Sequence, residues 1–282
     1  MFFKNLTAYK IESIDIEKFD ELLDKLVYIP CSKIQKSTRG FINPIIKDDE
    51  KCLYKFNHLA AFCFLNEEKL LPAQVINQEA KEYIDELQKT RFVGKKEKTE
   101  IKEDVEQRLL PQAFSKYRKT YGYIDLINNY LIIDSTSDKQ IIEIVELLQR
   151  CEIKLEPIVK EETDILTQWF AENSNPVDIE LGEKCKLTSD IGDGVANISC
   201  QGSSMLNDNI KSFIDANGHI TEIAIIWKDE LSMIVNTKLQ FKSIKFLNLS
   251  KDDNEHSDEA DLLLMSDAFA ELIESIKSWT AE

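Results

Sequence analysis

The densest cluster of ligand-type side chains in the sequence is KDDNEHSDEAD, Lys251 to Asp261. Asp252, Asp253, Glu255, Asp258, Glu259 and Asp261, with His256 among them, offer the oxygen donors that Mg²⁺ or Ca²⁺ prefers. A calcium-binding loop needs glycine at its sixth position and glutamate at its twelfth, and counting from Asp252 those positions hold Ser257 and Leu263. The cluster reads first as a solvated acidic loop, with a metal site serving a metal-dependent nuclease as the alternative. Gly192-Asp193-Gly194 lacks the further glycines of a dinucleotide fingerprint and the Lys-Ser/Thr of a phosphate loop, so it reads as a turn. Cys31, Cys52, Cys63, Cys151, Cys185 and Cys200 form no CxxC pair and have no histidine at zinc-site spacing; buried thiols are expected. His58, His219 and His256 lie in no catalytic motif, and no Ser-His-Asp or Cys-His arrangement follows from spacing. No catalytic residue, metal or cofactor is assigned.

Phosphate binding is the other chemistry the residue types offer. The chain is acidic, with 35 Lys and Arg against 51 Asp and Glu for a formal net charge of −16. From Lys89 to Thr120, however, ten basic residues face five acidic ones: Lys89, Arg91, Lys95, Lys96, Lys98, Lys102, Arg108, Lys116, Arg118 and Lys119 against Glu97, Glu100, Glu103, Asp104 and Glu106. This stretch therefore carries +5 and the other 250 residues −21. Two readings stay open on charge alone: a solvated helix face laced with weak ion pairs, or a phosphate-binding stripe that releases counterions on contact with nucleic acid. Phe114, just beyond Pro111 in LLPQAFSKYRK, is equally open between a core position and an exposed one.

The elements that position these residues follow from periodicity. FFKNLTAYKI alternates as a half-buried strand, and IDIEKFDELLDKL has helical spacing. After a loop with Pro30, Gly40 and Pro44, LAAFCFLNEEKLLP reads as a strand closed by Pro72. A helix with Val75, Ile76, Tyr83, Ile84 and Leu87 as its stripe leads through Gly94 into a charged helix that Pro111 ends. KYRKTYGYIDLINNYLIIDSTS reads as two strands turning at Asn128 and Asn129, with Tyr117, Tyr121, Tyr123, Ile124, Leu131 and Ile133 on the packed faces. Ser135 or Ser137 caps a helix striped by Ile141, Ile142, Ile144, Val145, Leu147 and Leu148. ITEIAIIW, LSMIVN and LQFKSIKFL read as successive strands and Asp258 to Trp279 as a helix. Strands and helices without regular alternation give an α+β class. The change from TDILTQWF to AENSNP marks a seam between an N-terminal region, 1–170, carrying the basic segment and a C-terminal region, 171–282. Composition excludes disorder, no apolar run reaches the roughly 20 residues of a membrane span, and MFFKNLTAYK lacks the form of a signal peptide, so a cytoplasmic protein is expected.

Across nearly the whole chain the motifs resemble one family. FKNL (Phe3 to Leu6), Pro30-Cys31, Gly40-Phe41 with Pro44, EEKLLP (Glu67 to Pro72) with Val75-Ile76, LLPQAFS (Leu109 to Ser115), Ile124-Asp125, Asp134 with its following serines, LTQW (Leu166 to Trp169), Ile223 to Trp227, and Ala260-Asp261 with its leucine run are similar in order and spacing to the RdgC family of bacterial recombination-associated proteins. The resemblance implies a non-enzymatic, sequence-independent binder of double-stranded DNA. It also implies crescent-shaped subunits forming a homodimer closed into a ring with a basic channel, nucleoid association, and restraint of RecA-promoted strand exchange. It places Phe114 at one subunit contact and Gln201 and Ser203 at a second. In CQGSSM (Cys200 to Met205) this chain has only Gln201, Ser203 and Ser204 where better-known members carry basic residues, which shifts the basic burden onto Lys89 to Lys119. A nuclease using residues 252–261, or a protein-interaction module without DNA binding, are the competing readings.

Overall fold

The opening strand, β1 (Asn5–Ser13), forms where its sequence predicts but is not half-buried, since Leu6 and Ala8 pack into one core and Tyr9 and Ile11 into another; α1 (Ile16–Leu23) follows with the Asp15 carboxylate accepting from the Lys18 N–H at its N-terminus. A computed structural model describes residues 2–47, 49, 51–172, 174–191, 194–202, 208–248 and 257–280 of the chain. Two short strands, β2 (Ser37–Ile42) and β3 (Leu53–Phe56), precede the long β4 (Leu59–Leu70). A helical hairpin, α2 (Ala73–Gln88) and α3 (Lys95–Leu109), leads to β5 (Phe114–Asp125) and β6 (Tyr130–Ile133), and α4 (Asp138–Gln149) and β7 (Lys154–Pro157) complete the first half. Then come α5 (Ile165–Glu172), β8 (Ile179–Ile191), β9 (Gly194–Gln201), α6 (Asp208–Asp215), β10 (His219–Trp227), β11 (Leu231–Asn236), β12 (Phe241–Phe246) and α7 (Asp258–Thr280). The class is α+β, with all twelve strands in one antiparallel sheet ordered β2-β4-β5-β6-β1-β12-β11-β10-β8-β9, β3 lying beside β4 and β7 beside β1. No helix among the described residues is long and apolar enough to cross a membrane.

Alternation along the strands loads both faces of the β1/β4/β5/β6 region. Phe62, Phe64 and Ile124 meet Phe19 of α1 and Ile144 and Leu148 of α4 on one side. Ala61, Tyr123 and Ile132 meet Phe269, Leu272 and Ile276 of α7 on the other, in a core shared with Trp169, Trp227 and Phe241. The α7 side chains that are buried recur every three or four residues, from Leu262 to Trp279, as an amphipathic helix requires. The β5–β6 turn has its own device: the buried Asp125 carboxylate accepts from the Ile127 and Asn128 N–H groups at 2.9 Å each, and Asn129 takes φ +57°.

The structure departs from the periodicity reading in several places. Val75 and Tyr83 are exposed because α2 has a single partner helix, so its buried stripe narrows to Ala80 and Ile84. Ile142 sits on the outward flank of α4, and Tyr117 is exposed where β5 runs past both cores to the end of the sheet. Cys31 and Cys200 are half-buried, whereas the other four cysteines are buried, and all six are free. Gly40, read as loop, is inside β2. The chain at Val27 and Tyr28 crosses it so closely that a Cβ on Gly40 would lie 2.5 Å from the Tyr28 Cα, so only glycine lets the 27–31 segment lie on the strand. Gly40→Ala is expected to cost roughly 1–3 kcal/mol through backbone displacement, seen as a lowered midpoint in circular dichroism melting.

Candidate nucleic-acid interface

The basic segment begins on the α2–α3 hairpin, which holds itself together with a small core of its own: Ile76, Ala80, Ile84 and Leu87 against Val93, Ile101, Val105 and Leu109. Ion pairs brace it. The Arg91 guanidinium grips Glu97 with two nitrogens, one N–O distance being 3.0 Å, and that hydrogen bond pulls the Glu97 carboxyl below its usual range. Arg108 reaches Glu79 on the facing helix at 2.6 Å, Lys96 lies 3.8 Å from Glu100, and Glu106 accepts from Lys36 at 2.7 Å.

Of the ten basic residues, then, Arg91, Lys96 and Arg108 have carboxylate partners. Lys89, Lys95, Lys98, Lys102, Lys116, Arg118 and Lys119 have no ion-pair partner among the described residues. Lys95, Lys98 and Lys102 fall within an arc of about 60° at 3.6 residues per turn, one stripe along α3, whereas Lys96 turns toward Glu100. Lys89 follows the last residue of α2, and the other three lie on β5, on two faces. Lys116 and Arg118 stand opposite Glu68 and Asn66 of β4, and with Ser137, Lys139 and Gln140 at the start of α4 they line a cleft. Lys119 stands opposite Leu65 and so points to the other face. The segment is two groups of cations at one end of the sheet.

Between these groups lies a residue pair that sequence reasoning only half identified. Phe114 is 84% exposed, with Leu70, its partner across the strands, 50% exposed, so the core reading of Phe114 is excluded. On the opposite face Glu67 is only 3% exposed and pairs with no cation among the described residues. Its carboxylate accepts from the Ser115 hydroxyl at 2.6 Å, the Cys31 N–H at 2.7 Å, the Tyr117 hydroxyl at 3.3 Å and the Tyr28 hydroxyl. Burial alone would raise its pKa. The bonds from Ser115, Tyr28, Cys31 and Tyr117 outweigh it and hold the carboxyl at about 2. The sequence signal for this site is an acid at the end of the otherwise apolar run LAAFCFLNEE, which on its own shows only a motif residue.

Gln201 is exposed at the end of β9, an edge strand at the far side of the sheet; Ser203, Ser204 and Met205 lie outside the described residues. So do Gly192, Asp193, Asp252, Asp253, Glu255 and His256, while Asp258, Glu259 and Asp261 form the first turn of α7. Among the described residues no three His, Cys, Asp or Glu side chains are grouped to hold a metal ion. His58 is half-buried, and exposed His219 has its Nδ1 3.3 Å from Asp164.

Fold and charge together define a mixed α+β protein with a basic, partly unneutralised arm on an acidic body. A family model described as "Putative exonuclease, RdgC" matches residues 1–281. The chain is 31% identical to the recombination-associated protein RdgC of Psychromonas ingrahamii over 98% of this chain and 95% of the relative. It is 29% identical to the protein of that name from Halorhodospira halophila, with 99% and 97% covered, and 27% identical to that of Yersinia pestis, with 98% and 96% covered. The chain belongs to the RdgC family.

Because the folded pKa of Glu67 lies below its ordinary 4.5, its stabilisation is complete above that value and fades as the pH falls from there through about 2. Glu67→Gln is expected to lose roughly 2–3 kcal/mol at neutral pH, since an amide turns two donors toward groups that are themselves donors. The gap between wild-type and mutant melting temperatures should then narrow steadily below pH 4.5, and a constant gap from pH 6 to 2.5 would show that the carboxylate carries no such role.

Proposed function

We propose that this protein binds double-stranded DNA through its phosphates, without sequence preference and without cleaving it, as a homodimer closed into a ring, and that it acts in recombination by restraining RecA-promoted strand exchange at the nucleoid. The observation that carries this is the set of seven basic side chains without carboxylate partners among the described residues, gathered at one end of a strongly acidic molecule. An acidic body repels a polyanion, so DNA approaches only where the cations are free, and they are best used lining the inside of an enclosure. Residues 1–170 then supply the DNA contacts with crescent-shaped subunits meeting at Phe114, and residues 171–282 supply the second subunit contact at Gln201 and Ser203. The names of the relatives, recombination-associated proteins, support the process.

The family description, an exonuclease, favours a second reading in which residues 252–261 hold Mg²⁺. Incubation with linear and circular DNA and Mg²⁺ separates the two: degradation abolished by Asp252→Asn with Asp253→Asn establishes the nuclease and removes the non-catalytic reading.

Gel retardation across a salt series tests the interface. Replacing Lys95, Lys98 and Lys102 with Gln should lower the slope of log affinity against log salt by about 0.9 for each phosphate that is no longer neutralised. Lys96→Gln should change it far less, because that side chain is already near Glu100. Equal effects would mean that the α3 stripe does not face DNA.

Phe114→Ala should melt as the wild type does, since little of the ring is buried within the subunit. Truncating an aromatic anchor at a subunit contact commonly costs ~2 kcal/mol, a roughly 30-fold weaker dimer, measurable by sedimentation at several concentrations. An unaltered dimer removes Phe114 from the contact.

A further inference from the structure

Phe92, at the turn of the α2–α3 hairpin, is the most exposed aromatic side chain among the described residues, 87% accessible. Its outward position is built rather than incidental. Val93 is 2% exposed in the hairpin core, so the residue before it is turned away from that core. On one side the turn is pinned by the Thr90 and Arg91 N–H groups and the Thr90 hydroxyl, all donating to the Leu87 carbonyl at 2.9–3.0 Å. On the other, the Lys98 N–H donates to the Gly94 carbonyl at 3.1 Å, and the Arg91–Glu97 fork spans the turn between them. One edge of the ring lies near Gly94, where a Cβ would meet the Phe92 Cε1 at 3.9 Å, an ordinary van der Waals contact. The side chain thus stands on a braced support, with its faces open.

The charge around it limits what those faces meet. From Lys89 to Thr99 there are five basic residues and one acid, Glu97, which is committed to Arg91. An apolar protein partner would need matching acidic groups on every side of the pocket that took the ring. Nucleic acid supplies both requirements together, a π-face in each base and a phosphate on either side. Opening an intact base step consumes more than one aromatic stack returns, but at a nick or a mismatch the stacking is already interrupted.

Resting on the DNA-binding reading above, we propose that Phe92 is a base-contacting wedge that stacks on DNA bases at interrupted steps, while Lys89, Lys95 and Lys98 hold the flanking phosphates. The protein would then favour damaged or branched duplex over continuous duplex, a selectivity that phosphate contacts alone do not provide.

The test uses full-length protein and two duplexes of one sequence, intact and nicked, with 2-aminopurine beside the nick. The wild type should bind the nicked duplex more tightly by roughly five- to 100-fold, equivalent to about 1–3 kcal/mol, and change the 2-aminopurine fluorescence. Phe92→Ala should bring the ratio of the two affinities to about one and abolish the fluorescence change, with an unaltered melting transition, and Phe92→Trp should restore both. A wild type without preference, or a Phe92→Ala protein that keeps it, overturns the wedge while leaving the DNA-binding reading intact. A Phe92→Ala protein whose dimer falls apart in sedimentation also overturns it, making Phe92 a subunit contact. Failure of the wild type to retard either duplex at low salt removes both readings.

Discussion

Strand β1 is where the two arms of the sheet are joined. Asn5 and Leu6 pair with β12, Thr7 to Lys10 with β6, and Tyr9 to Ser13 with β7, so one nine-residue strand serves three neighbours in succession. Its start is held by Asp134, whose carboxylate accepts from the Lys4 and Asn5 N–H groups and from the Asn5 amide. Burial raises the pKa of Asp134, and those bonds oppose the rise. Once β1 is placed, β2, β4 and β5 lie at one end of a continuous sheet and β8 and β9 at the other. Phe114 and Gln201 are consequently presented at opposite ends of a shared hydrogen-bonded frame. The subunit contacts proposed at these two residues would therefore be far apart, with room between them for the proposed opening.

Charge segregation imposes the second constraint. The acidic residues are spread over the body, where many offset lysines on neighbouring elements: Asp24 with Lys51, Glu222 with both Lys186 and Lys242, Asp138 with Lys238. Positive charge in surplus cannot sit among them without being neutralised. The α2–α3 hairpin avoids this by packing mostly on itself, with its Ile101 and Val105 stripe turned to α2 and its lysine stripe left over. Such an arm needs few contacts with the acidic body, and its small core leaves it free to be patterned for charge.

Legibility in the sequence followed how local each element's cause is. Strands β4, β10, β11 and β12, and helices α4 and α7, announce themselves because their periodic apolar residues face large cores, whereas α3 is marked by its charge and by Gly94 and Pro111 at its ends. Strands β8 and β9 were not anticipated: β8, reading IELGEKCKLTSDI, gains its order from pairing with β10 and β9 rather than from an apolar pattern. For β2 the obstacle was Gly40, whose reason for being glycine lies in a distant stretch of backbone. The basic segment was legible as composition, yet its division into two groups depended on the register of β5 against β4 and on which lysines found carboxylates. Local sequence leaves Phe114 undecided, since a phenylalanine beyond a proline turn packs inward or outward with the same neighbours, and its 84% exposure decides it.

Glu67 explains how an exposed phenylalanine is kept in a usable position. Four donors converge on one point behind β5, from Tyr28, Cys31, Ser115 and Tyr117. A carboxylate takes all four on two oxygens that only accept, whereas an amide would have a single acceptor oxygen for them. The donors also supply the solvation that burial removes, so the charge survives without a cation. One of them, Ser115, is the immediate neighbour of Phe114, and its bond fixes the strand end on which the phenylalanine stands. Ordering side chains and loops opposes association, so a residue already held in place forms a tighter contact than a mobile one with the same surface. In the contact proposed for Phe114, the buried carboxylate on one face of the β4–β5 pair and the exposed ring on the other would act together, the first removing disorder that the second would otherwise have to overcome.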